Sequence, residues 1–228
     1  MSTPAHPPPR TEPIRALNRI RIEENHDPLV ELAHKRHGIY LCCDRRIWLR
    51  KTVARKLVTV QRSLPRGIHL FVIEGYRSLA RQTLIYERFL QQSFAEHPDW
   101  PLNVRRREVN RMVAPPDVKC PPGHCTGGAL DATLIDPKGI ELDMLSPCQG
   151  RFEECTPTFF PDLSPTALHN RELLFEAMEA QGFRNYALEW WHYSYGDSGW
   201  AYRMGLDACP YGAAPPPPDY AMPVREME

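Results

Sequence analysis

Two short stretches hold residue types that can do chemistry. Gly-His-Cys-Thr-Gly-Gly-Ala-Leu-Asp, residues 123–131, sets His124 and Asp131 seven positions apart among glycines. Glu-Trp-Trp-His, residues 189–192, adds Glu189 and His192. Two imidazoles and a carboxylate suit a catalytic zinc ion, which takes three protein ligands and leaves the fourth position to water. His124, Asp131 and His192 are therefore the candidate metal ligands, for one Zn2+ per chain. Such an ion lowers the pKa of its water to about 7 in the best cases. A second carboxylate beside it can then move the proton, and Glu189 is the candidate.

Each of these residues also has a plainer reading. A lone histidine is more often structural than a ligand, and the same holds for His34, His37, His69, His97 and His169. Asp131 alone could be a buried, hydrogen-bonded acid or a turn residue. Trp190 and Trp191 read as packing residues. Cys125 sits beside His124 as a conceivable thiol nucleophile or fourth ligand, but no matching base accompanies it. His-x6-Asp and Glu-x-x-His together carry more information than their parts.

The elements that position these residues are readable in outline. Val53, Leu57, Val60 and Leu64 form one helical stripe over residues 49–63, and Pro65-Arg66-Gly67 stops it. Residues 69–74 predict a strand, followed by Gly75-Tyr76-Arg77-Ser78 and a helix over 79–96 with Tyr86, Leu90 and Phe94 on its buried face. A shorter helix is expected over 102–112. Residues 129–135 read as a strand with Ala129, Asp131 and Thr133 on one face and Leu130, Ala132 and Leu134 on the other. Residues 136–163 are mostly loop, as an active-site wall would be. Ser164-Pro165 opens a helix that buries Leu174, Ala177 and Met178 and ends at Gly182. Residues 186–195 are strand-like. On a straight strand, a spacing of seven or of three puts two residues on opposite faces. The glycines let His124 fold back in a loop over the strand, and Glu189 with His192 requires a bulge or bend.

The fold class that follows is α+β, a small, mainly antiparallel sheet flanked by helices in a single domain over residues 14–209. A Pro-rich tail at 1–13 and a Pro-rich, extended, exposed tail at 210–228 bracket it. Lys plus Arg equals Asp plus Glu at 28 each, so no broad field for nucleic acid or anionic lipid is implied. Arg105-Arg106-Arg107 reads as a solvated helix face. No apolar run reaches the roughly 20 residues of a membrane span. With seven scattered cysteines and no apolar leader, reduced thiols and a cytoplasmic location are expected.

Gly-His-x-x-Gly-x-Ala-x-Asp followed by Glu-Trp-Trp-His-Tyr resembles the D-alanyl-D-alanine dipeptidases, the VanX-like zinc peptidases related to zinc D-Ala-D-Ala carboxypeptidases. The resemblance covers roughly residues 40–205 and includes Gly75-Tyr76-Arg77 and Leu142-Asp143-Met144. It implies a hedgehog/D-Ala-D-Ala peptidase-like fold, zinc on His124, Asp131 and His192, and Glu189 as general base and acid. It also implies that Arg77 steadies charge developing on the scissile carbonyl; without the resemblance, an ion pair at a helix N-terminus would be the preferred reading of Arg77. The implied partner is a small peptide substrate. Three departures stand out. Pro122 lies where the family often has serine, Gln149 lies near an expected amine-binding aspartate, with Glu153 or Glu154 as substitutes, and residues 30–40 lack the family's Asn-Phe-x-Gly segment. These departures keep two further readings open: a carboxypeptidase or endopeptidase on longer wall peptides, and a zinc-holding binding module, as in hedgehog signalling domains.

Overall fold

The computed structural model describes residues 12–42, 46–145 and 156–220. The chain begins with α1 (Ile14–Leu17), β1 (Arg21–Ile22), β2 (Leu29–Glu31), β3 (Tyr40–Leu41) and β4 (Trp48–Arg50). The body follows with α2 (Lys51–Ser63), β5 (His69–Glu74), α3 (Leu79–Glu96), α4 (Leu102–Met112), α5 (Gly123–Thr126) and β6 (Ala129–Ile135). It ends with α6 (Pro165–Glu179), β7 (Arg184–Tyr186), β8 (Glu189–Ser194), α7 (Ser198–Arg203) and β9 (Ala208–Cys209).

The fold is mixed α/β around a five-stranded sheet in the order β3-β5-β6-β8-β7. The antiparallel pairing expected from the sequence is present between β5 and β6, β6 and β8, and β8 and β7. The edge strand β3 instead joins β5 in parallel, so the sheet itself is mixed. A parallel neighbour needs a crossover, and the chain from β3 to β5 supplies one through α2.

One face of the sheet carries the main core. Val53, Leu57 and Val60 of α2, Leu174 and Met178 of α6, and Leu130, Ala132 and Leu134 of β6 share one buried cluster with Trp190 and Tyr193. Burying each large apolar side chain is worth about 1.5–3 kcal/mol. Because side chains alternate along β6, Asp131 and Thr133 are left on the opposite face, toward the site. The start of α6 follows its sequence: the Ser164 hydroxyl accepts from Ala167 N–H at 3.0 Å, and Pro165 occupies the first turn.

The helical pair α3–α4 departs from expectation in two residues. Phe94 is 49% exposed rather than buried, and its ring lies over the Arg105 guanidinium at 4.0 Å. Arg105 is not on a solvated face; it is fully buried. Its Nε donates to Trp100 O and its Nη2 to Pro98 O, each at 2.8 Å, and Nη1 donates to Ser93 O. Carbonyls where one helix stops and another begins lack intrahelical partners. A single planar fork satisfies the Pro98 and Trp100 carbonyls and adds a second donor to Ser93 O, which also accepts from His97 N–H at 3.1 Å, a role that charge counting cannot reveal.

Beyond β9 the chain stays against the body. Residues 211–217 are in neither helix nor strand, and Tyr220 N–H closes a turn on Pro217 O at 2.9 Å; Tyr211 is buried and Tyr220 half-buried rather than exposed. At the other end, Glu12 pairs with Arg203 at 2.6 Å. Gln149, Glu153 and Glu154 lie outside the described residues, as does the stretch 146–155 of the loop expected to wall the site. Among the described residues no helix is long and apolar enough to cross a membrane.

Replacing Arg105 by Met removes the side-chain donor from the partly buried Trp100 and Pro98 carbonyls and one of the two donors from Ser93 O. A stability loss of about 1–3 kcal/mol is expected, because an unsatisfied buried polar group costs about 1–3 kcal/mol and the two carbonyls left without a donor are only partly buried. Denaturant unfolding of Arg105→Met against the parent checks this; a loss below about 0.5 kcal/mol, the range of ordinary surface changes, contradicts it.

Candidate metal centre

His124 is presented by α5, a single helical turn rather than the loop expected. Pro122 leads into it with extended backbone. Gly127 ends it at φ +72, and a Cβ there would come within 2.3 Å of Leu29 Cδ2. The turn reverses the chain onto β6, so a spacing of seven residues closes to contact. Asp131 then lies opposite His192 in the β6–β8 register, and opposite Glu74 across β5. The irregularity predicted for β8 is present. Asn185 pairs with Tyr193 while Tyr186 pairs with Glu189, so Trp190, Trp191 and His192 bulge between the two pairings. Glu189 and His192 thereby reach the same cavity.

The three candidate ligands converge. Asp131 Oδ1 lies 3.0 Å from His192 Nδ1 and 3.4 Å from His124 Nε2. All three ligand atoms fall within 4.8 Å of one another. Bonds of about 2.0–2.2 Å in a tetrahedral zinc shell put neighbouring ligand atoms about 3.3–3.6 Å apart, so the donor set fits such an ion with small adjustments. His124 Nδ1 lies 2.8 Å from Gly75 O. Donating there fixes the tautomer and leaves Nε2 for a metal, as second-sphere contacts commonly do. Burial opposes the charge on Asp131, but His124 and His192 outweigh it and hold its carboxyl well below the usual range. Burial likewise opposes the charge on His124, and Asp131 pushes its pKa up on balance.

Glu189 Oε2 stands 3.9 Å from His192 Nδ1. Burial lifts the Glu189 pKa to about 7, with His192 working against the rise and Asp131 adding to it. A carboxyl poised near neutrality can both take and return a proton.

For Arg77 the ion-pair reading is present in the structure. Its Nε and Nη2 fork onto Glu74 at 3.0 and 2.7 Å, and Nη1 donates to Gln82 Oε1 at 2.8 Å. This is an ion pair beside a helix N-terminus, yet the side chain also lines the cavity with the ligands. Three of the five guanidinium N–H groups are engaged. Glu74 also takes Arg81 Nη1 at 2.5 Å. Burial raises the pKa of Glu74, but Arg77 leads a set of positive neighbours that brings it down to about 2.

The cavity is about 380 Å³ and is lined by Arg77, His124, Asp131, Glu189, Trp191 and His192, among others. Sequence reasoning missed Glu74, the Gly75 carbonyl and Tyr186. Tyr186 lines the same cavity with its ring 6.2 Å from that of His192. Its place three residues before Glu189 was the available signal. Cys125 is buried away from any such role, and burial pushes its thiol up to about 12.

A profile of the Peptidase_M15 family, described as D-ala-D-ala dipeptidase, matches residues 36–207. The chain belongs to that family. A D-alanyl-D-alanine dipeptidase of Synechocystis sp. is 29% identical over 154 residues, 59% of this chain and 62% of that one. The enzyme of the same name from Enterococcus faecium is 33% identical over 133 residues, 56% of this chain and 62% of that one. The chain thus spans about 62% of the length of these relatives. A solved structure of VanYB in complex with D-Alanine-D-Alanine overlaps 84% of this chain and 94% of that one at 17% identity and a TM-score of 0.48, too loosely to bear on mechanism.

Glu74→Gln leaves two buried guanidiniums without their carboxylate, and a loss of about 3–5 kcal/mol is expected. The folded carboxyl titrates near 2 and an ordinary one near 4.5. The stabilisation is therefore complete above pH 4.5 and declines as pH falls toward 2. Unfolding curves of parent and variant should converge over that window; a gap unchanged with pH contradicts the assignment.

Proposed function

We propose that this chain is a zinc-dependent hydrolase of D-alanyl-D-alanine or a closely related small D-amino-acid dipeptide, with one Zn2+ per chain. The observation that carries the reading is the convergence of His124, Asp131 and His192 in one cavity with Glu189 and Arg77. Membership of the D-ala-D-ala dipeptidase family supports the choice of substrate. The cytoplasmic setting expected from the sequence belongs to the same proposal.

His124 Nε2, Asp131 Oδ1 and His192 Nδ1 would hold the ion. When bound, zinc acidifies a water and polarises a carbonyl. Glu189 accepts the proton of the attacking water and passes it to the leaving amine, for which a pKa of about 7 is well placed. Arg77 keeps a permanent positive charge at the cavity wall, where it steadies the oxyanion; removal of one such donor typically costs about 2.7–4 kcal/mol. The Gly75 carbonyl keeps His124 in the ligating tautomer. Trp191 and Tyr186 wall the site and limit water.

One feature favours larger substrates as a second reading. The cavity runs beyond the ligands to Ile14, Leu17 and Phe89, apolar surface that a dipeptide of two alanines does not need. Carboxypeptidase or endopeptidase action on longer wall peptides would use it.

Glu189→Gln should keep its zinc and lose about 10²–10⁴-fold in kcat. Chelation should abolish hydrolysis and added zinc restore it. Undiminished turnover in the variant, or in chelator-treated protein shown to be metal-free, contradicts the mechanism. The two readings separate on free D-Ala-D-Ala against its N-acylated form: a dipeptidase prefers the free amine, and preference for the blocked substrate selects the second reading.

A further inference from the structure

The segment after β9 lies outside the residues that match the family profile, and it touches both halves of the site. Gly75-Tyr76-Arg77-Ser78 is irregular backbone whose N–H groups must find partners elsewhere. Tyr76 N–H donates to Trp48 O at 2.7 Å, and Arg77 N–H donates to His124 O at 3.1 Å. Ser78 N–H donates to the Tyr220 hydroxyl at 3.2 Å. The Arg77 loop is thus pinned by β4, by α5 and by the C-terminal segment.

The same segment grips α5. Ala214 N–H donates to Cys125 O at 2.9 Å, while Ala214 O accepts from the Tyr76 hydroxyl at 2.8 Å. One peptide-bonded residue therefore links the residue next to His124 with the residue next to Arg77. Upstream, buried Arg50 donates from Nη2 to Gly212 O at 3.2 Å and from Nε to Thr126 O at 2.7 Å. The Tyr76 and Tyr220 rings meet edge to face, with centroids 5.3 Å apart.

We propose that residues 210–220 form a strap that fixes the Arg77 loop and the His124 turn relative to each other, with Tyr76 and Tyr220 as positioning residues for the zinc ligand and the oxyanion-binding arginine. The proposal rests on the functional reading above. Small displacements at such a site matter because catalytic groups must be held to within about 0.5 Å of productive geometry. Prolines 215–218 suit the strap, since they limit the conformations the free segment explores and so lower the entropy lost on docking.

The test uses the full chain carrying Tyr220→Phe or Tyr76→Phe, each of which keeps the ring and removes one hydroxyl. Three quantities are read: zinc affinity by competition with a chromogenic chelator, kcat and KM on D-Ala-D-Ala at saturating zinc, and the thermal midpoint. Expected are a zinc affinity weaker by up to about 10-fold, because these hydroxyls act one contact further out than the outer-sphere partners whose loss costs about 10–100-fold, a several-fold lower kcat with KM little changed, and folded protein at the assay temperature. Folded variants with parental zinc affinity and kcat overturn the strap, as does a kcat loss that only tracks the unfolded fraction. Parent protein that binds zinc strap-dependently yet hydrolyses no D-amino-acid peptide would support the strap and defeat the functional reading instead.

Discussion

The site depends on a carboxylate held between two imidazoles in a largely buried pocket. The Asp131 side chain is only 14% exposed, and an isolated charge with so little hydration would be costly. Its two histidine partners make it tolerable, and a divalent cation would do so more completely. This requirement governs the surroundings: three strands place Glu74, Asp131 and His192 in one row across the sheet, and α5 brings His124 over the end of that row. Helices α2 and α6 cover the opposite face, leaving this face free to form a cavity.

Regular strands could not have built the centre. A period of two scatters residues three or seven apart onto both faces. Both exceptions occur where chemistry is concentrated: a left-handed glycine closes the turn after His124, and β8 bulges between Glu189 and His192. Such irregularities are costly in a plain sheet and are retained where they aim side chains.

Glu74 connects stability with chemistry. Its single negative charge pairs with both Arg77 and Arg81, which offsets part of their mutual repulsion beside the candidate metal centre. It also occupies part of the Arg77 fork, so that the remaining N–H groups have a fixed direction. The helix-terminal ion pair is present, and the oxyanion role proposed for Arg77 would use the same guanidinium.

Much of the local structure was legible in the sequence. The stripe Val53, Leu57, Val60 and Leu64, the Ser164-Pro165 start and the alternation along residues 129–135 follow from periodicity and capping, which are local properties. The convergence of His124, Asp131 and His192 was legible because two histidines and a carboxylate in those spacings carry more information together than singly. Tertiary structure decided the rest. Burial of Arg105, the parallel edge strand β3, the claim of Glu74 on Arg77 and the docking of residues 210–220 all depend on partners distant in sequence or on chain reversal. Charge and hydropathy along a chain state what a side chain can do, but which carbonyl or carboxylate it meets is set only when separate segments pack.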